Sequence, residues 1–110
     1  MSHPNSNLYL LPSILEEDQK ALTKAEEYYG NSWKKRGGVG AFMMLARKWD
    51  RIENQVTFQA QEGGDSYDIF RTLKDQADDE TEEGIIDDIR DLRRYLLLVE
   101  SELLLWKNHT

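Results

Sequence analysis

The chain has 110 residues, no cysteine and a net charge of −7, which suits one domain and excludes disulfides, thiolate nucleophiles and thiolate metal sites. Its two histidines, His3 and His109, stand at the chain ends, so a histidine-centred catalytic site is not expected. No apolar run is long enough to span a bilayer, and the start "MSHPNSNLYLLPS" lacks the charged-then-apolar pattern of a secretory signal, so a cytoplasmic location is expected.

In chain order, residues 1–10 are polar at their start and are expected to form a flexible segment, with residues 11–110 making a single helical domain. The first helix is predicted from Pro12 to about Lys35. Leu15, Leu22, Tyr29 and Trp33 recur at steps of seven, seven and four, and Ile14, Ala21, Ala25 and Tyr28 widen that stripe. Pro12, followed by Glu16, Glu17 and Asp18, fits a helix N-terminus, where the dipole favours acids. Gly37, Gly38 and Gly40 are expected to break the helix and let the chain reverse.

A second helix should come next, with Phe42, Leu45, Ala46, Trp49, Ile52 and Val56 on its apolar face, Arg47, Lys48 and Arg51 toward the flanks and outer face, and Gly63 and Gly64 at its end. A shorter helix carrying Tyr67, Phe70 and Leu73 is predicted from Ser66 to Ala77. The acidic turn after it offers Asp79 and Thr81 as caps for the last helix. In that helix Ile85, Ile89, Leu92, Leu96, Val99, Leu103 and Trp106 alternate steps of four and three, a heptad seam. Glu83, Asp87 and Asp91 fall on the opposite face, together with Leu98 and Leu105. A helix apolar on two faces must be covered twice. A second subunit is the simplest second cover, the third helix of the same chain the other one. No period-two strand pattern persists, so the fold class is all-α with four helices, oligomeric through the C-terminal helix.

Charge is unevenly placed. Between Lys34 and Arg51 six cations (Lys34, Lys35, Arg36, Arg47, Lys48 and Arg51) face one acid, Asp50, a net of +5 that leaves −12 on the rest of the −7 chain. So local a basic island suits a small phosphorylated ligand better than a long nucleic acid, or else these cations pair with acids of neighbouring helices. Tyr29 or Trp33 offers a flat face for a base, while Arg36, Arg47, Lys48 and Arg51 can hold phosphate. Packing into the core is the competing role for the two aromatics. Gly30 inside a helical pattern costs about 1 kcal/mol relative to alanine, which points to a kink or a close backbone approach there.

"YGNSW", the glycine-marked turn, "ARKWDRI" and "DDIRDLRRYLLL" together resemble the phage and bacterial nucleotide-modification-associated domain family, which is similar to the all-α MazG-type nucleoside triphosphate pyrophosphohydrolases. The resemblance covers roughly residues 28–97. In the hydrolases, carboxylates from two adjacent helices converge on magnesium, which clamps the phosphates and activates water. By that resemblance Glu83, Asp87 and Asp91 are the metal candidates here. The second helix departs from the pattern, since Arg47, Lys48 and Arg51 stand where acids would ligate. Half the metal cage is missing, so the resemblance implies a nucleotide binder that holds a modified deoxynucleotide or a nucleotide immune signal; the two-faced last helix adds the expectation of a homo-oligomer, and the lack of a long apolar run that of no membrane partner. The alternative is a magnesium-dependent pyrophosphohydrolase, and magnesium is the one cofactor it requires.

Overall fold

The computed structural model describes residues 6–75, without the side chains of 73–75, and 84–109. Its elements are helix α1 (Asn7–Tyr29), a 3-10 turn (Ser32–Lys34), helix α2 (Gly37–Val56), strands β1 (Thr57–Gln59) and β2 (Asp65–Tyr67), helix α3 (Ile69–Asp75) and helix α4 (Ile85–Asn108). The fold is all-α, as expected, with four α-helices and one small hairpin among the described residues. The chain divides into two compact units, residues 1–37 and 38–110.

In the first unit, α1 starts earlier and stops sooner than the sequence pattern predicts. Ser6 caps it: its hydroxyl accepts from the Leu8 amide at 3.2 Å, and its carbonyl accepts from the Tyr9 amide at 3.0 Å. Residues 7–10 therefore form the first turns, and Pro12 lies inside the helix rather than at its opening. As the sixth residue of the helix, Pro12 lies past the first turn and cannot donate to the Leu8 carbonyl, so one bond of the ladder is missing there. The helix stops at Tyr29 because Gly30 takes φ 56° and ψ −132°, while its amide closes the last turn on the Glu26 carbonyl at 2.8 Å. Trp33 consequently belongs to the 3-10 turn and not to the α1 stripe. The sheltered face of α1 carries Ile14, Asp18, Ala21 and Leu22, with Asp18 buried, whereas Leu15 and Tyr29 are exposed.

Helix α2 begins at Gly37 (φ 70°), the last residue of the first unit, and takes Gly38 and Gly40 of the second into its first turns instead of breaking there. It ends at Val56, short of the expected Gly63. The chain then turns into an antiparallel hairpin in which Thr57 pairs with Tyr67, Phe58 with Ser66 and Gln59 with Asp65. Thr57, Phe58 and Tyr67 suit a pleated surface better than a helix. Gly63 and Gly64, both at positive φ, make the reversal, and the Ala60 amide donates to the Gly64 carbonyl at 3.0 Å. Asp68 then caps α3, its Oδ1 accepting from the amides of Phe70 and Arg71, both at 3.1 Å. That cap moves the start of α3 from the expected Ser66 to Ile69. Thr72, buried, places its hydroxyl 3.1 Å from both the Gln55 and the Asp68 carbonyls, tying α3 to the end of α2.

Helix α4 carries acids Asp87 and Asp88 in its first turn, where the dipole favours them. Its seam is best covered at the start. Ile85 is buried and Ile89, Leu92 and Val99 are half-buried, but Leu96, Leu103 and Trp106 are exposed. On the other face Leu98 is half-buried and Leu105 is 54% exposed. The expected caps Asp79 and Thr81 lie outside the described residues.

Candidate functional site

The second unit joins α2 to α4 through long polar side chains beside part of the expected apolar stripe, of which Ile52 is buried and Leu45, Ala46 and Val56 are half-buried. Phe42 and Trp49, placed on that stripe by spacing, are exposed, and the inward positions are Leu45, Lys48, Ile52 and Gln55. Lys48 was expected toward the outside, yet its side chain is only 16% exposed. Its long stem packs inward while its ammonium finds charge and ring partners. The ammonium lies 2.5 Å from Asp91 Oδ2 and 5.4 Å from the centre of the Tyr95 ring.

One turn on, the Arg51 guanidinium donates from Nη2 to Asp88 Oδ1 at 3.1 Å. Gln55 completes the row, its amide donating to Asp88 Oδ2 and to the Arg51 carbonyl at 3.2 Å. Lys48, Arg51 and Gln55 ascend α2 at steps of three and four while Asp91 and Asp88 descend α4, so the two helices run antiparallel along this row. The Asp88 side chain is 8% exposed and has a donor on each oxygen, whereas the Asp91 side chain is half exposed and has one. Burial pushes the Tyr95 hydroxyl above the usual tyrosine pKa.

The six residues read from sequence as ligand-binding divide between the units. Tyr29, 71% exposed, Trp33, half-buried, and Arg36, exposed, belong to the first. Arg47, Lys48 and Arg51 belong to the second, where Lys48 and Arg51 are paired with carboxylates and Arg47 is exposed with no ion pair among the described residues. The Arg51 side chain remains 58% exposed, so most of a five-donor guanidinium is still open to a second acceptor.

Of the metal candidates, Glu83 lies outside the described residues. Asp87 is held by Arg90 Nη1 at 3.2 Å and Asp91 by Lys48. Among the described residues no group of three or more metal-ligating side chains converges. Asp88 and Gln55, both central to the seam, were not singled out from the sequence. A signal existed: Asp88 sits three after Ile85 and four before Leu92, a polar residue at core spacing. No helix among the described residues is long and apolar enough to cross a membrane. No protein-family model matches the chain, and no curated protein and no solved structure matches it either.

Proposed function

We propose that this chain is a nucleotide-binding subunit of a cytoplasmic homo-oligomer, of the phage type its motifs resemble, and that it holds a phosphorylated nucleotide without hydrolysing it. The observation that carries the reading is the cation pair Arg47 and Arg51 on the exposed flank of α2. Arg47 and Arg51 stand one turn apart, both exposed, and Arg47 has no carboxylate partner among the described residues. Two guanidiniums at that spacing suit the oxygens of a phosphate. Binding is favoured over pyrophosphate hydrolysis because a metal at Asp87 and Asp91 would first have to displace Arg90 and Lys48. Leu105 and the other exposed apolar residues of α4 support the homo-oligomer.

The test is a thermal-shift screen of linear and cyclic nucleotides with and without magnesium, followed by titration calorimetry on Arg47→Ala and Arg51→Ala. Each substitution should weaken binding by about 1.5 to 3 kcal/mol, the scale of a hydrogen bond to a charged group. Magnesium should change the affinity little. Full affinity in both variants would end the phosphate-site reading, and pyrophosphate release abolished by Asp91→Asn would establish the hydrolase instead.

A further inference from the structure

Helix α4 outruns the helix it pairs with. Lys48 meets Asp91 and Arg51 meets Asp88, so each step back along α2 is a step forward along α4. Gly38, ten residues before Lys48, falls level with Ser101, ten residues after Asp91. The last two turns of α4, to Asn108, therefore pass the start of α2 by about 10 Å. The face left open there continues the one that meets α2: Trp106 repeats Leu92 and Val99 at steps of seven, and Glu102 repeats Asp88 and Tyr95 likewise. Leu92 and Val99 are half-buried, whereas Leu103 and Trp106 are 64% and 68% exposed. We propose that this overhang is closed by the same overhang of a second copy, the two α4 ends lying antiparallel across a two-fold axis with Leu103 of each level with Trp106 of the other; this rests on the homo-oligomer reading above.

Charge and space select this occupant. With Leu103 level with Trp106, Glu100 and Glu102 of one chain come level with His109 and Lys107 of the other, and the two-fold axis makes each meeting occur twice. Glutamates thus meet an imidazole and a lysine rather than each other along the rim of the apolar strip. Space fixes the direction. A parallel copy would bring its own α2 to the level that the first α2 already holds, on the same face of α4. An antiparallel copy brings only the tip of its α4, whose Asn108 comes level with Ser101, near where α2 starts. The α2 of one chain and the α4 of the other then cover the α4 seam in succession. Area sets the strength: Leu103, Trp106 and the stems of Glu100, Glu102 and Lys107, at on the order of 80 Å² each, offer about 400 Å² per chain, half of one side of a standard interface. The contact therefore belongs to the weak, concentration-dependent class. A lipid surface is the poorer occupant, because the two glutamates flank the strip.

The test is sedimentation velocity at roughly 10 and 500 μM chain. The wild-type mass should rise with concentration from that of the 12.9 kDa monomer toward a dimer, and Trp106→Glu should stay monomeric while keeping the helical circular dichroism of the wild type. Lys107→Glu should weaken association by about tenfold, and adding Glu100→Lys and Glu102→Lys to the same chain should restore it. Because the chain has no cysteine, direction is read by gently oxidising a mixture of Leu103→Cys and Trp106→Cys chains, one isotope-labelled, and weighing the products; mixed disulfides should exceed the statistical half. A wild-type monomer at both concentrations would overturn this interface and the homo-oligomer together. An oligomer unmoved by Trp106→Glu, a loss at Lys107→Glu that the paired reversal does not restore, or disulfides only between like chains would overturn this interface alone. Recovery of wild-type chain on anionic phospholipid vesicles, lost in Trp106→Glu, would assign the overhang to a lipid surface instead.

Discussion

Removing Asp88 should destabilise the protein more than removing Asp91, although the Lys48–Asp91 contact is the shorter one at 2.5 Å against 3.1 Å for Arg51–Asp88. Depth decides this, not distance. The Asp91 carboxylate is half exposed and screened by water, and its removal leaves a Lys48 ammonium that is 16% exposed but keeps the Tyr95 ring and a flexible stem with which to reach solvent. Asp88 is 8% exposed and takes a charged donor on one oxygen and an amide on the other. Asp88→Ala removes one hydrogen bond of about 1.5 to 3 kcal/mol and one of about 1 kcal/mol. It also removes a first-turn acid that the helix dipole favours by about 0.3 to 1 kcal/mol. Arg51 is 58% exposed and recovers part of this by turning to water, so the net cost should be about 2 to 3 kcal/mol. Asp91→Ala should cost about 1 to 2 kcal/mol, because the Lys48 ammonium it leaves behind is largely sheltered but can turn toward solvent. Urea unfolding at one fixed protein concentration reads both, with the difference expected in the midpoint and the slope unchanged. Equal losses for the two variants, or a larger one for Asp91→Ala, would refute the ranking by burial.

The glycines give a contrast within one short stretch. Gly30→Ala should destabilise by about 1 to 3 kcal/mol, because its φ of 56° with ψ of −132° excludes a side chain even though nothing lies within 4 Å of the added carbon. Gly38→Ala, inside α2 and equally open, should stabilise by about 0.4 to 1 kcal/mol; melting curves of the two variants must move in opposite directions. Stability should also fall as pH rises through about 10, the ordinary tyrosine value. The unfolded chain loses the Tyr95 proton there while the folded chain, with its pKa raised by burial, keeps it. Tyr95→Phe should flatten that alkaline loss in a pH series of urea midpoints, and an unchanged slope would remove Tyr95 as its source.

Helix content was plain in the sequence because α4 repeats its apolar residues over about six turns, and a signal that long survives local exceptions. Boundaries were less legible. The α1 stripe extends past Gly30 to Trp33 in spacing, but one positive-φ glycine overrides spacing. The hairpin escaped because two strands of three residues are too short for any period to show. At the candidate site the cations were visible as a cluster and the acids as another. Their pairing was not, since it depends on the antiparallel meeting of α2 and α4, which sets Arg51 beside Asp88, 37 positions on. Asp87 and Asp91 drew attention by resemblance, yet Asp88 between them is the buried one.

Gln55 has a place in the order of folding. Its carbonyl accepts from Thr72 at 3.1 Å, seventeen residues along, and its side chain reaches Asp88, thirty-three residues along. The first of these contacts closes a short loop that the hairpin already shortens, with the Asp68 amide on the Val56 carbonyl at 3.1 Å. Hairpins form within about 1 to 10 μs, and short loops cost little closure entropy. Residues 55–72 are therefore expected to order before α4 docks, which higher φ-values at Thr72 than at Asp88 would check. The amide of Gln55 is then already in position when α4 arrives, and the longer-range pairing of Arg51 with Asp88 condenses onto a preformed edge instead of creating one.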